Sequence, residues 1–517
     1  MKENRNEKSK QVESVILFKS EGGGNYLYSK KNNQILLIHP VLHYLIKLDQ
    51  SDNDVKNWLE NLDNGDIHIE NYGHFSKEII IHYYNKFKLL SENGYFDKVD
   101  HANRLSGRLN KKTVKSNFIN TSSVVFEVTQ NCNLKCVYCG YGKYYNDYEK
   151  RNGRSICPKI AKRYLDSLFK LWNVPEFRSF TKKVHIAFYG GEPLLNIDFI
   201  KEITQYVKKF DSPNIIFTFG MTTNGTLLHK YMDFLVENKF ELGISLDGCE
   251  RNNEYRVYKN GRSTFKTIIK NVRYLQEKHP EYFEKTVNFI SVLHNKNSVE
   301  EIVDFFIKNF NKMPIISEIN PGGIDPKKKV EFLKFFKKYN ESINQVKDFT
   351  ILKKNILRVP EIKEAFYMIM NYCGFIYKDF RSFYFSPDNR SFIPTSTCVP
   401  FYKKTFITAY GTVLPCESVR HKYALGVVDE SRININFQQI TDKYNEYYDK
   451  IKNQCFTCYN AKRCGVCALT IGIDGDKPIC YGHMDYDAFS NYLGSCISTL
   501  EKNSSLYKKL IKEVLIS

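Results

Sequence analysis

The run CNLKCVYC places Cys132, Cys136 and Cys139 in the spacing C-x3-C-x2-C directly after an apolar stretch of β character. Three thiolates so spaced can hold three irons of a four-iron cluster, and the fourth iron is then left without a protein ligand, open to react. A zinc knuckle is the plainer use of such thiols, but zinc wants a fourth ligand close by. The nearest His or Cys candidates, Cys157 and His185, stand at no usual zinc-ligand spacing.

Further along, successive strand-like runs end in small and polar residues. VHIAFYGGEP runs into Gly190, Gly191, Glu192 and Pro193, IIFTFGMTTNG ends on Thr222, Thr223 and Asn224, ELGISLDG brings Ser245 and Asp247, and ERNNEYRVYKNG carries Arg256. With the triplet and Tyr138, the aromatic beside its last cysteine, these segments resemble the radical S-adenosylmethionine (radical SAM) superfamily and its CxxxCxxC and GGEP elements. The resemblance implies a [4Fe-4S] cluster on Cys132, Cys136 and Cys139, with SAM bound near Tyr138. Gly190 and Gly191 would let backbone approach the ligand, and the Glu192 carboxylate would suit the amino group of its methionine half. Thr223, Asn224, Ser245 and Asp247 fall in regions that contact the ribose and methionyl group in the family, and Arg256 falls where a carboxylate-binding arginine often stands. Taken singly, a Gly-Gly pair is a turn and an arginine a solvated charge.

The hydrophobic pattern supports one scaffold for these segments. Strand-like runs at 124–128, 184–188, 215–219, 242–246, 287–293 and 314–319 alternate with helical patterns. STFKTIIKNVRYLQ has Ser263 as its cap and Phe265, Ile268, Ile269, Val272 and Leu275 on one face, and SVEEIVDFFIKNF has Ser298 as its cap. Such alternation argues a parallel sheet, and six units fit the partial (β/α)6, TIM-like barrel of the radical SAM core. The expected class is α/β, with a small α+β domain before the core and a cysteine-rich domain after it. By analogy with complete barrels, the ligand site belongs at the carboxyl ends of the strands.

A second constellation lies near the C-terminus. Cys398, Gly411 and Cys416 form C-x12-G-x4-C, and Cys455, Cys458, Cys464, Cys467 and Cys480 form C-x2-C-x5-C-x2-C-x12-C. Paired CxxC thiols also serve structural zinc. The whole resembles the SPASM domain, a seven-cysteine extension of some radical SAM enzymes that binds auxiliary clusters, with x2 here where the family usually has x3. The resemblance implies one auxiliary cluster on Cys455, Cys458, Cys464 and Cys480, and another drawing on Cys398, Cys416 and Cys467. The fourth ligand of the latter is open between Cys373, a non-cysteine ligand and none. Glu417 follows Cys416, and in sulfatase-maturating relatives a carboxylate in the corresponding region acts as a base near the substrate. An exposed turn glutamate is the alternative. Cys157, Cys249 and Cys496 match no motif and read as structural thiols.

At 517 residues the chain should hold more than one domain. The net charge of +19 suggests an acidic partner or a polyanion. It is dispersed, apart from a linker-like stretch at 102–120 and the segment DPKKKVEFLKFFKKYN, and no RRM, KH or basic-zipper signature accompanies it, so nothing else points to nucleic acid. No apolar run reaches membrane-spanning length, since His39, Pro40 and His43 interrupt the nearest candidate. There is no secretory h-region, and thiolate clusters need a reducing compartment, so a cytoplasmic location is expected.

Residues 1–101 read as a separate α+β module: a hairpin around Lys30 to Asn33, short helices, then a longer helix ending near ENGYF. Gly22 to Gly24 have no P-loop context and read as a turn. The module weakly resembles the winged-helix domains of peptide maturases, which take a leader peptide as an added strand; an arbitrary N-terminal cap is the other reading. The expected layout continues with a basic linker at 102–120, the core at 121–340, a bridging region at 341–395, the SPASM domain at 396–499 and an amphipathic helix at 500–517 with Leu506, Leu510 and Val514 on one face.

The resemblance implies an oxidoreductase that reductively cleaves SAM to a 5′-deoxyadenosyl radical and abstracts hydrogen from a peptide or protein, forming a thioether or carbon-carbon crosslink. An external one-electron donor such as flavodoxin or ferredoxin would feed it. Two other readings stand beside this one: anaerobic sulfatase maturation, which makes formylglycine, and a non-catalytic iron-sulfur or SAM-sensing protein.

Overall fold

The computed structural model describes residues 13–51, 53–99, 105–145, 152–173, 182–211, 214–320, 324–343, 345, 360–374, 393, 399–419, 421–474 and 477–511. The chain divides into two compact units that interleave in sequence. One joins residues 1–108, 355–397 and 446–517, and the other joins 109–354 and 398–445.

In the first unit, β1 (Val15–Lys19), β2 (Asn25–Ser29) and β3 (Gln34–Ile38) form an antiparallel sheet in that order. Helices Pro40–Gln50 and Val55–Glu60, the hairpin of β4 (Asp66–Ile69) and β5 (Gly73–Ser76), and helix Lys77–Glu92 follow. Asp54 and Ser76 cap the second and third helices by accepting from backbone N–H groups of the first turn. The VILFK strand has no polar face. Val15 and Leu17 pack with Leu27, Leu42 and Ile46, while Ile16 and Phe18 on the other face pack with Tyr372, Phe489, Leu493 and Leu510. The N-terminal sheet therefore shares a core with helices Pro360–Tyr372, Tyr486–Lys502 and Ser504–Leu510, because a strand apolar at successive positions needs cover on both sides. Leu506 and Leu510 are buried there as their spacing suggests, and Val514 lies outside the described residues.

The second unit holds the parallel sheet. β6 (Ser123–Thr129), β7 (Lys182–Gly190), β8 (Ile215–Thr223), β9 (Glu241–Ser245), β10 (Val287–Leu293) and β11 (Ile315–Glu318) lie side by side in chain order, all parallel. Amphipathic helices link them, among them Pro158–Trp172, Ile197–Lys208 and Val299–Phe310. Ser298 caps the last of these; helix Phe265–Lys278 starts after Thr264, one residue beyond the expected cap, with Ser263 Oγ still accepting from Phe265 N at 3.3 Å. Inside the stretch expected as a linker, Lys111–Ile119 is a helix. Val114 and Phe118, four residues apart, share a face and are buried, with Phe118 5.0 Å from the Phe401 ring.

The sheet does not end at β6. β12 (Thr405–Ile407) pairs with it in parallel, and β13 (Thr412–Leu414), β14 (Gly426–Val428) and β15 (Ile433–Asn434) continue antiparallel, giving ten strands. Gly411 makes the β12–β13 turn possible: its φ is +81°, and a Cβ there would lie 1.9 Å from the Val428 carbonyl oxygen.

Candidate active site

The cysteine loop leaves the end of β6 and is held at both flanks. At its start, Gly191 N donates to Thr129 O at 2.7 Å and Glu192 N to Asn131 O at 2.8 Å. Cβ atoms at Gly190 and Gly191 would fall 2.4 Å from Thr129 O and 1.9 Å from Asn131 O. The two glycines thus bring β7 against the backbone just before Cys132, where a ligand-facing cradle was expected. Further on, Lys135 N donates to Val257 O and Val137 N to Tyr255 O, which fastens the loop to the segment carrying Arg256.

Cys132, Cys136 and Cys139 are half-buried thiols. Burial pushes the Cys136 thiol up to about 12; the Arg256 guanidinium acts against this, and the neighbouring Cys139 and Cys132 add to it. Three thiols sharing one electrostatic neighbourhood beside a buried cation is a donor set suited to an anionic metal-sulfur group. Among the described residues no three His, Cys, Asp or Glu side chains converge on a single ion position. The cluster reading asks for thiols on separate corners, not on one ion.

Around this loop lies a buried polar network. The Tyr138 hydroxyl donates to Asp247 Oδ2 and accepts from Arg256 Nη1 at 2.9 Å. Asp247, fully enclosed, also accepts from Val292 N at 2.9 Å and lies 3.9 Å from Arg256 Nη1 and 3.8 Å from His294 Nε2. Arg256 Nε is buried and has no hydrogen-bond partner among the described residues. That leaves one guanidinium donor for an acceptor such as a carboxylate. Burial pushes the Tyr138 phenol far up, so it stays protonated as a donor.

Glu192 does not present a free carboxylate. It is completely buried, and its oxygens accept from Leu194 N at 3.1 Å, Thr223 Oγ1 at 2.7 Å and Asn224 N at 2.7 Å. Thr223 and Asn224 are thereby tied to the GGEP segment, and Asn224 Nδ2 lies 3.9 Å from Cys132 Sγ and donates to Asn133 Oδ1 at 2.8 Å. Ser245 sits half-buried at the end of β9. Sequence reasoning missed His294, fully buried and stacked on Tyr138 with ring centroids 5.8 Å apart. Its place directly after β10, a strand end like the others, was the available signal.

Glu417 lines a small, partly open pocket with Glu127, Gln130, Tyr141, Thr408 and His421. Gln130 and Thr408 directly follow the carboxyl ends of β6 and β12, and Tyr141 is two residues beyond Cys139. Lys404, which the sequence did not single out, pairs with Glu417 at 2.7 Å. Cys416 is half-buried two residues after β13, and Cys398 lies outside the described residues.

In the first unit, Cys455, Cys458, Cys464 and Cys480 are mutual electrostatic neighbours. Burial pushes Cys455 up to about 12, with Cys464, Cys458 and Cys480 adding to it, and Cys458 and Cys480 are raised in the same sense. Cys467 is half-buried before the short helix Ala468–Thr470, and Cys373 is half-buried, raised by burial to about 11 with Lys462 opposing. Cys496 is enclosed among Phe489, Leu493 and Tyr492, as expected of a structural thiol.

Residues 126–306 match the Radical SAM superfamily. The chain is 26% identical over 355 residues to a cysteine-type anaerobic sulfatase-maturating enzyme of Clostridium novyi, covering 67% of this chain and 86% of that protein. It is 25% identical over 298 residues to the radical SAM cyclopropyl synthase TigE of Paramaledivibacter caminithermalis, covering 55% and 57%. Among solved structures, anSMEcpe with bound AdoMet aligns at 21% identity and a TM-score of 0.48, over 75% of this chain and 98% of that one. With the thiol triplet on the loop after the first strand of a parallel sheet, residues 126–306 carry the Radical SAM match within this chain. The chain is an enzyme whose cofactors are a [4Fe-4S] cluster and SAM.

Proposed function

We propose that the chain is a peptide maturase of this superfamily, which abstracts hydrogen from a peptide held beside Glu417 and leaves a thioether or carbon-carbon crosslink, for which an auxiliary cluster would accept the second electron. When bound, the cluster and SAM supply a 5′-deoxyadenosyl radical. Cys132, Cys136 and Cys139 would hold the cluster, and Arg256 Nε, buried beside Cys136, would offer its hydrogen bond to the SAM carboxylate. Asp247 and Tyr138 fix the guanidinium, while Glu192 anchors Thr223 and Asn224 beside Cys132. Glu417, in the pocket at the same ends of the strands, is the candidate to take a proton from the substrate. That placement is the observation that carries the reading. Cys455, Cys458, Cys464 and Cys480 would hold an auxiliary cluster.

The N-terminal sheet would receive the leader of the precursor. The outer edge of β1 is covered, since Leu17 N donates to the Tyr486 hydroxyl at 3.0 Å and Glu13 N to that of Tyr459 at 2.8 Å. β3 is the other edge, paired only with β2 among the described strands, and Leu37 on it is 69% exposed. An added strand there would complete its ladder.

The test is 5′-deoxyadenosine release from SAM by the anaerobically reconstituted, dithionite-reduced protein. Release that needs the triplet and rises with a candidate precursor peptide is the expected result. No release from protein with an intact cluster would overturn the enzymatic reading in favour of a sensing role. Modification of a sulfatase peptide to formylglycine, with precursor peptides inert, would replace it with sulfatase maturation.

A further inference from the structure

We propose that Lys30, on the turn of the N-terminal hairpin, is the buried counter-charge of the iron-sulfur site formed by Cys455, Cys458, Cys464 and Cys480, and that it sets the reduction potential of that site. The inference rests on the ligand assignment just made for those four cysteines.

The turn between β2 and β3 is fastened to the cysteine-bearing segment. Asn33, with φ at +53°, accepts at Oδ1 from Lys462 Nζ at 2.7 Å and from the Tyr28 hydroxyl at 3.0 Å, and Lys462 lies between Cys458 and Cys464. Lys30 Nζ reaches inward from the same turn. It stands 4.1 Å from the centroid of the Tyr459 ring, the residue next to Cys458. The ammonium nitrogen is buried and has no hydrogen-bond acceptor among the described residues. Burial pushes its pKa down to about 7, and the neighbouring Cys458 sulfur and Glu13 act against this.

A cation enclosed without an acceptor is costly unless an anion lies against it, and a cation-π contact meets only part of that cost. A four-iron cluster with four thiolate ligands is anionic when oxidised and gains one more negative charge when an external donor reduces it by one electron. A fixed positive charge nearby favours the reduced form, which raises the potential, and net charge around a cluster is one of the levers that set it. No bond changes, and the anionic cluster would hold Lys30 as the ammonium in both states. The competing explanation is that the aliphatic stem of Lys30 only packs the hairpin on Tyr459.

Substitutions separate the two. Full-length Cys132→Ala/Cys136→Ala/Cys139→Ala/Cys416→Ala protein is reconstituted anaerobically, so that the signal comes from the four-cysteine site, and titrated with EPR detection. Lys30→Met keeps the stem and removes the charge; Lys30→Arg keeps the charge. The expected result is that Lys30→Met holds the parent's iron content but, at the parent's midpoint, shows a reduced-to-oxidised ratio about tenfold lower, equivalent to about 59 mV for one electron. Lys30→Arg should stay within about twofold of the parent. Loss of iron in Lys30→Met alone also supports the counter-charge. An unmoved midpoint in Lys30→Met, or equal iron loss in both variants, overturns it and leaves packing as the role. If the parent itself shows no four-iron signal, the ligand assignment fails, and the proposal with it, before Lys30 is altered.

Discussion

The Tyr138 hydroxyl donates to the buried carboxylate of Asp247, joining the residue before the last cysteine of the triplet to the segment two residues beyond β9. Arg256 donates to the same hydroxyl, so the phenol oxygen lies between a carboxylate and a guanidinium that are themselves 3.9 Å apart. Tyr138→Phe should leave both charged partners enclosed with one hydrogen bond fewer each, at a cost of about 1–3 kcal/mol. Urea denaturation of the anaerobic protein measures this. A midpoint equal to wild type would mean that the hydroxyl braces nothing.

Gly191→Ala should damage the cysteine loop more than any nearby surface change. Its Cβ would fall 1.9 Å from Asn131 O and 2.5 Å from the carbonyl carbon, and backbone cannot yield as a side-chain tip can. The Asn131–Cys132 peptide must move, and Cys132 moves with it. The expected outcome is a loss of iron per chain after reconstitution, read by iron analysis. Full loading of the variant would show that the loop has slack.

Glu417→Gln preserves shape and removes the charge that pairs with Lys404. If Glu417 accepts the substrate proton, SAM cleavage should continue while modified peptide falls by roughly 100-fold or more. Mass spectrometry of the peptide beside 5′-deoxyadenosine quantification gives both numbers. A parallel fall of the two would assign Glu417 to binding, and no fall would return it to the surface.

The first unit should weaken in mild acid through His43. Its Nδ1 bonds the Tyr72 hydroxyl at 2.8 Å, and its Nε2 is buried without a partner among the described residues. Burial, with help from Lys19 and Lys47, holds its pKa at about 4, below the ordinary 6.5. The fold therefore keeps the ring neutral while the unfolded chain takes up a proton below pH 6.5. Stability from this residue is complete above pH 6.5 and is lost as pH falls toward 4, at roughly 1.4 kcal/mol per unit. His43→Leu should show a shallower decline of urea midpoint than wild type across that window. Equal slopes would remove His43 as the cause.

The parallel strands were legible because their apolar runs are long and their ends carry polar residues; β10 spans Val287–Leu293 in sequence reading and structure alike. What the sequence could not reveal depends on distance along the chain. Three-residue β12 has too few positions for a period, and its partner β6 lies about 280 residues earlier. Glu192 reads as a ligand-facing acid until three donors are seen to enclose it, and Lys30 reads as a turn lysine until Tyr459 is placed beneath it. The glycines of GGEP were located correctly, while the object they approach is the protein's own backbone at Thr129 and Asn131.

β6 leads into the triplet loop and is flanked on both sides, by β7 and by β12. Val124 through Thr129 are all buried. A chain cut before Thr405 would turn this doubly covered strand into an open rim, with unpaired amides and apolar side chains offered to any neighbouring chain. The 126–306 segment is thus a catalytic core in sequence only. As a physical object it is sealed by residues that the ribosome adds about a hundred positions later, and a truncated version should clump rather than work.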